Sequence, residues 1–212
     1  MTTTNPSRVP EAPSRVNVVD IKLLSDNWYV LKTTTFDYLR RDGSWQRQSR
    51  ETYDRGNGAV LLLFNASRNT VVLTRQFRFP TFVNGNTDGM MVEACAGLLD
   101  GDDPETCIRR EAAEETGFYI RNPRKLFEAY MSPGSVTEKL HFFAAAYEAA
   151  DKVSQGGGHL HEGEDIEVLE LDLADALRQI TTGVIQDGKT IMLLQHAALV
   201  GLENLDQGSA DY

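Results

Sequence analysis

The octapeptide REAAEETG at 110–117 constrains this chain more than any other stretch. Asp103 can cap a helix that opens at Pro104, where a missing amide proton is not needed, and Glu105 suits the positive end of the helix dipole. Gly117 is well placed to end that helix. At about 100° per residue, Glu111, Glu114 and Glu115 fall within an arc of roughly 100° on one face. Like charges at this spacing repel by a few tenths of a kcal/mol per pair, so a cation or basic group is expected to compensate them. Carboxylates on a rigid helix suit Mg²⁺ or Mn²⁺, which take oxygen ligands, water and substrate phosphate in octahedral geometry. The alternative, on these residues alone, is a solvated acidic face with Arg109 and Arg110 as partners.

With 212 residues, of which 41% are hydrophobic and 25% charged, the chain is long enough and ordinary enough to bury a core. Its net charge of −10 argues against a general nucleic-acid binder, and a site for an anionic nucleotide then requires local Arg, Lys or a metal ion. No apolar run approaches the roughly 18 residues of a membrane span, and residues 1–15 lack the apolar core of a signal peptide. A soluble cytoplasmic protein with no membrane partner is the expectation. Cys95 and Cys107 are too few for a disulfide framework and are expected to be buried thiols.

Residues 1–15 have almost nothing to bury and read as a mobile tail, and residues 16–55 as a small antiparallel β unit. Asp42-Gly43 falls where a tight hairpin turn requires left-handed backbone angles. Residues 56–212 form a second module, opening with the apolar strands AVLLLF (59–64) and TVVLTRQF (70–77) around the turn NASRN. After the acidic helix come two strand patterns, KLFEAYMS and KLHFFAAAYEA, then a glycine-rich loop, SQGGGHLHEGED. IEVLEL reads as a strand, and two helices follow with Gly183 and Gly188 bracketing their connection. This order implies an α/β fold of packed layers with a small appended sheet.

The stretch MMVEACAGLLDGD (90–102), a strand and glycine turn leading into REAAEETGF (110–118), resembles the signature of the Nudix hydrolases. Gly97 takes the place of the signature's first glycine. The chain departs from the pattern in carrying Asp103 where an acid of the Glu type is usual, in a spacer one residue shorter, and in Ala112 and Phe118 at the aliphatic places. The segments YDRGNGAVLLLFN, VVLTRQFR, VNGN, YMSPGSVTE, EDIEVLEL and DGKT extend the resemblance to the GDP-mannose pyrophosphatase branch of that family, with RQFR and SPGxxxE shared with ADP-ribose pyrophosphatases. The resemblance implies a Nudix-type α/β/α sandwich with a mixed sheet and an N-terminal antiparallel β unit that packs or exchanges across a homodimer. It also implies metal-dependent hydrolysis of the pyrophosphate bond in a nucleoside diphosphate sugar, most simply GDP-mannose to GMP and mannose 1-phosphate. ADP-ribose or another nucleotide sugar as substrate, and a Nudix-fold module that binds a nucleotide without hydrolysing it, stay open.

By the same resemblance, Glu111 and Glu115 are the main metal ligands, Glu114 a weaker one, and the Ala96 carbonyl and Glu164 further ones, with Mg²⁺ the expected ion and Mn²⁺ the alternative. Glu164 is also the expected general base, preferred over its neighbours Glu162, Asp165 and Glu167, and Glu111 and Glu115 complete the catalytic set. Arg110 is expected to hold one of these glutamates in place, with a plain surface Arg as the alternative. Substrate contacts are expected from Arg78, Arg50, Glu138, Lys189, Gly97 and Leu98, with Trp28 stacking on the base from the partner subunit; a solvent-facing charge or a core aromatic is the plainer alternative for several of them. His159 and His161 read better as part of a hydrophilic loop than as ligands of a soft metal.

Overall fold

The computed structural model describes residues 14–159, 161 and 163–205. The expected tail thus lies, up to residue 13, outside the described residues, and so does Glu162. The chain divides into two compact units, the first ending at Arg55 and also taking in Gly134–Thr137, the second holding the remainder from Gly56 onward.

The first unit is a three-stranded antiparallel sheet in the order β1-β2-β3, made of β1 (Val16–Asp26), β2 (Val30–Leu39) and β3 (Trp45–Asp54). The β2–β3 ladder runs without a register shift from Val30↔Asp54 to Leu39↔Trp45. At its hairpin only Gly43 is left-handed (φ 83°), so the expectation for Asp42 is corrected. The Arg40 amide donates to the Ser44 carbonyl at 2.9 Å, closing a three-residue loop, and Asp42 accepts hydrogen bonds from Ser44. A loop of that length needs one left-handed residue where a two-residue turn needs two. Against β2, β1 carries two register shifts, and its apolar side chains Val16, Val18, Ile21 and Leu23 are exposed. The Gly134–Thr137 segment joins this unit through hydrogen bonds between Tyr53 and both Ser135 and Thr137.

The second unit is built on a seven-stranded mixed sheet. Its strands are β4 (Gly58–Asn65), β5 (Thr70–Phe77), β6 (Met90–Glu93), β7 (Cys95–Leu98), β8 (Arg124–Tyr130), β9 (Lys139–Ala146) and β10 (Glu167–Asp172). The spatial order is β10-β5-β4-β9-β8, with β6 paired to β5 and β7 to β4, and β4 and β9 run parallel. The apolar run of β4 follows from its central place, since both its faces are covered. Ala59, Leu61 and Leu63 face one core with Cys107 and Ile108 of α2 (Pro104–Glu111). Val60, Leu62 and Phe64 face the other, with residues of α3 (Leu173–Thr181), α4 (Gly188–Val200) and α5 (Leu202–Leu205). Helices on both faces of one sheet make the expected α/β/α sandwich. A short helix, α1 (Phe79–Val83), follows β5 and was not signalled by periodicity, being little more than one turn.

The acidic helix departs from the regular one expected. Asp103 caps it as predicted, accepting from the amides of Glu105 and Thr106, and Gly117 ends it at φ 76°. Between them, α2 gives way at Glu111 to a π-helical turn, Ala112–Thr116. The wider turn breaks the 100° progression that would place all three glutamates on one face.

Candidate active site

The site begins where β7 meets the end of α2. The Glu111 side chain lies so close over Gly97 that a Cβ on Gly97 would collide with its carboxylate. Glu115, in the π-helical turn, is 3% exposed, and its Oε2 accepts a hydrogen bond from the Ala96 amide at 3.3 Å. Burial pushes Glu115 up to about 7, with the charge of Glu111 adding to the rise, while the Cys95 thiol, the Ala96 amide and Arg78 pull it back. Glu111 is also raised, first by burial and then by the charges of Glu114 and Glu164, against the opposing pull of Arg110. Arg110, expected to orient a glutamate, has Nη1 2.9 Å from Glu111 Oε1 and 3.1 Å from Glu114 Oε2. Arg109 instead pairs with Glu105 and the carbonyl of Ile120.

The π-helical turn has a structural partner in the glycine-rich loop. The amides of Gly157 and Gly158 donate to the carbonyls of Glu115 and Glu114 at 2.9 and 3.1 Å. Gly156 is left-handed (φ 70°) and approaches so closely that a Cβ there would strike the Glu115 carbonyl. Backbone is thus laid against backbone, which only glycine permits. The same loop brings the distant acid near: Glu164 Oε2 accepts from the His159 amide at 2.8 Å, and His159 Nε2 lies 3.4 Å from Glu114 Oε1. Glu111, Glu114, Glu115 and Glu164 therefore form one electrostatically coupled group, drawn from segments about fifty residues apart.

Four carboxylates that repel one another, one of them almost fully buried, match a divalent cation in charge and in donor chemistry. The Gly97 cradle leaves room for a ligating carboxylate. A residue in a strand sends its N–H and C=O toward the same side, so the Ala96 carbonyl opens on the edge where its amide meets Glu115. Among the described residues no three acidic, His or Cys side chains stand preassembled at ligand distance, so the fit is one of chemistry and charge.

Positive charge lies next to this group. Arg78, at the junction of β5 and α1, grips Glu93 at the end of β6 with a two-pronged contact, Nε to Oε1 at 2.8 Å and Nη2 to Oε2 at 3.1 Å. Lys189, in the first turn of α4, reaches Glu93 Oε2 at 2.7 Å and Asp187 Oδ1 at 2.9 Å. Burial would raise Glu93, but Lys189 and Arg78 overcome it and hold the carboxyl at about 2. Thr190 ties the same helix start to the junction of β6 and β7: its hydroxyl donates to Asp187 and accepts from the Ala94 amide, both at 2.6 Å. The substrate-contact candidates Arg78 and Lys189 are thus brought together. Glu93 was not foreseen, although a lone acid in the apolar run MMVEACAG is the signal that could have singled it out.

The remaining candidates are placed as follows. The Leu98 carbonyl lies 3.1 Å from the Cys107 thiol, and both cysteines are buried and free, as expected. Glu138 is half-buried just before β9. Arg50 and Trp28 belong to the three-stranded unit, where Arg50 Nη1 donates to the Ser49 carbonyl at 2.8 Å. Trp28 stands 82% exposed with its ring nearly perpendicular to that of Tyr29, so the plainer alternative of a core aromatic does not hold.

Two family models match the chain. One, for the N-terminal domain of GDP-mannose pyrophosphatase NudK, covers residues 15–53, and one for the NUDIX domain covers residues 54–194. Among curated relatives, the GDP-mannose pyrophosphatase of Pectobacterium atrosepticum is 57% identical over 188 residues, 89% of this chain and 96% of the relative. That of Klebsiella pneumoniae is 52% identical over 196 residues, covering 92% and 98%. That of Escherichia coli O1:K1 is 56% identical over 182 residues, covering 86% and 94%.

Proposed function

This chain belongs to the Nudix hydrolase family, and on that premise we propose that it hydrolyses GDP-mannose to GMP and mannose 1-phosphate with Mg²⁺ as the working ion. The observation that carries the reading is the pairing of a coupled carboxylate group around buried Glu115 with the Arg78–Glu93–Lys189 cluster. A pyrophosphate linked on both sides needs both: a place for a cation and N–H donors for its own oxygens.

Glu111, Glu115 and the Ala96 carbonyl would hold the ion, with Glu114 and Glu164 at its margin. When bound, the ion supplies charge neutralisation of the pyrophosphate and acidifies a water molecule. Arg110 keeps Glu111 and Glu114 oriented. Arg78 and Lys189 donate to non-bridging phosphate oxygens, and Gly97, with no side chain to crowd Glu111, bounds the site together with Leu98. Glu164 takes the proton from the attacking water as its oxygen bonds to one phosphorus. The bridging P–O bond then breaks, and the leaving phosphate retains the electron pair. In the homodimer that the resemblance implies, Trp28 of the partner subunit stacks on the base, and Glu138 contributes polar contacts to the sugar.

The test is product analysis after incubation with Mg²⁺ and, separately, GDP-mannose, ADP-ribose, UDP-glucose and GTP, each with a chelator control. Metal-dependent release of GMP from GDP-mannose in preference to the others is expected. Release of AMP from ADP-ribose alone would overturn the substrate, and cleavage of none would overturn the hydrolase reading. No helix among the described residues is long and apolar enough to cross a membrane, and the cytoplasm is the proposed location.

A further inference from the structure

Glu93 contributes to no step above, yet it is the most constrained acid next to the site. Its carboxylate is 4% exposed, and it is shared by two cations from separate elements, one at the start of α1 and one at the start of α4. Arg78, by contrast, keeps 41% of its side chain exposed. The guanidinium is therefore held from behind, through Nε and Nη2, with the Nη1 edge left for another acceptor. Lys189 uses two of its three ammonium donors on Glu93 and Asp187 and keeps a third. Two carboxylates and two cations balance in charge, so the cluster survives burial without a ligand while Arg78 Nη1 and one Lys189 donor stay uncommitted.

We propose that Glu93 is a positioning residue for substrate binding, a single buried carboxylate that fixes the directions in which Arg78 and Lys189 meet the pyrophosphate. The nucleotide-sugar substrate in this inference rests on the function proposed above; the geometry of the cluster does not. Donors fixed in advance lose less conformational freedom on binding than donors that must be collected from solution. Because Glu93 acts through groups that grip the non-reacting oxygens, its loss weakens substrate and transition state alike and falls on KM.

Glu93→Gln and Glu93→Asp are to be compared with the parent chain by steady-state kinetics on GDP-mannose, by calorimetric binding of GDP-mannose in chelator, and by thermal unfolding. Asp keeps the charge and withdraws it by one methylene, which guards against a Gln variant that fails to fold. A rise in KM of about tenfold, with kcat within about threefold and a matching loss of affinity in chelator, is expected for a folded variant. Combining Arg78→Ala with the Glu93 change should add less than the product of the two single effects, because the second mutation then acts on a group already gone. Unchanged KM and affinity in folded variants, or fully multiplicative effects, would overturn the proposal. A parent chain that binds GDP-mannose without hydrolysing it would remove the hydrolase reading while the affinity comparison still decides the role of Glu93. Absence of binding by the parent chain would overturn this role as well.

Discussion

At the scale of single residues, the site sets one buried acid against another. Glu115 is buried without a cationic partner of its own, whereas Glu93 is buried between two. Glu115→Gln keeps the volume and removes the charge, so turnover should fall by about a hundredfold or more while the chelated protein unfolds at an unchanged or higher temperature. Near-normal activity in a folded variant would exclude Glu115 as a metal ligand. Glu93 carries a pH signature of opposite origin. Its carboxyl is held at about 2 against an ordinary value of 4.5, so its stabilising contribution is complete above pH 4.5 and is lost as pH falls toward 2. Denaturant unfolding across that window should show the parent chain more stable than Glu93→Gln at pH 5, with the gap closing as pH approaches 2.

At the scale of elements, the docking of the glycine-rich loop on the π-helical turn decides where Glu164 stands. Gly156→Ala puts a methyl group against the Glu115 carbonyl at a left-handed backbone position. A loss of stability of about 1–3 kcal/mol is expected, with a larger proportional loss of activity because the loop bearing Glu164 must lift. Thermal unfolding and turnover measured side by side check this, and an active, equally stable variant would show that the loop has another seat. At the other end of the same helix, Asp103→Ala removes a cap that serves two amides and should lower stability by about 1 kcal/mol, with kinetics little changed.

At the scale of the whole molecule, the three-stranded unit leaves Val16, Val18, Ile21 and Leu23 of β1 between 45% and 58% exposed. We propose that a second copy of the chain covers them, as a homodimer, since an open three-stranded sheet is marginal without a covered face. Light scattering should give the mass of two chains, and a clean 23.6 kDa species would exclude the dimer. Much of this architecture was legible in the sequence. The apolar run of β4, the Asp103 cap and the Gly117 stop are local patterns, and local patterns follow from backbone geometry and side-chain periodicity. What the sequence could not state is which glutamate would be buried and which half-exposed. That depends on the π-helical turn, which is engaged by a loop some forty residues further along. Nor could it state that Glu93 and Lys189, 96 residues apart, would meet. Burial and ion pairing are set by contacts between distant segments, and desolvation exists only once the sheet and its covering helices have closed around them.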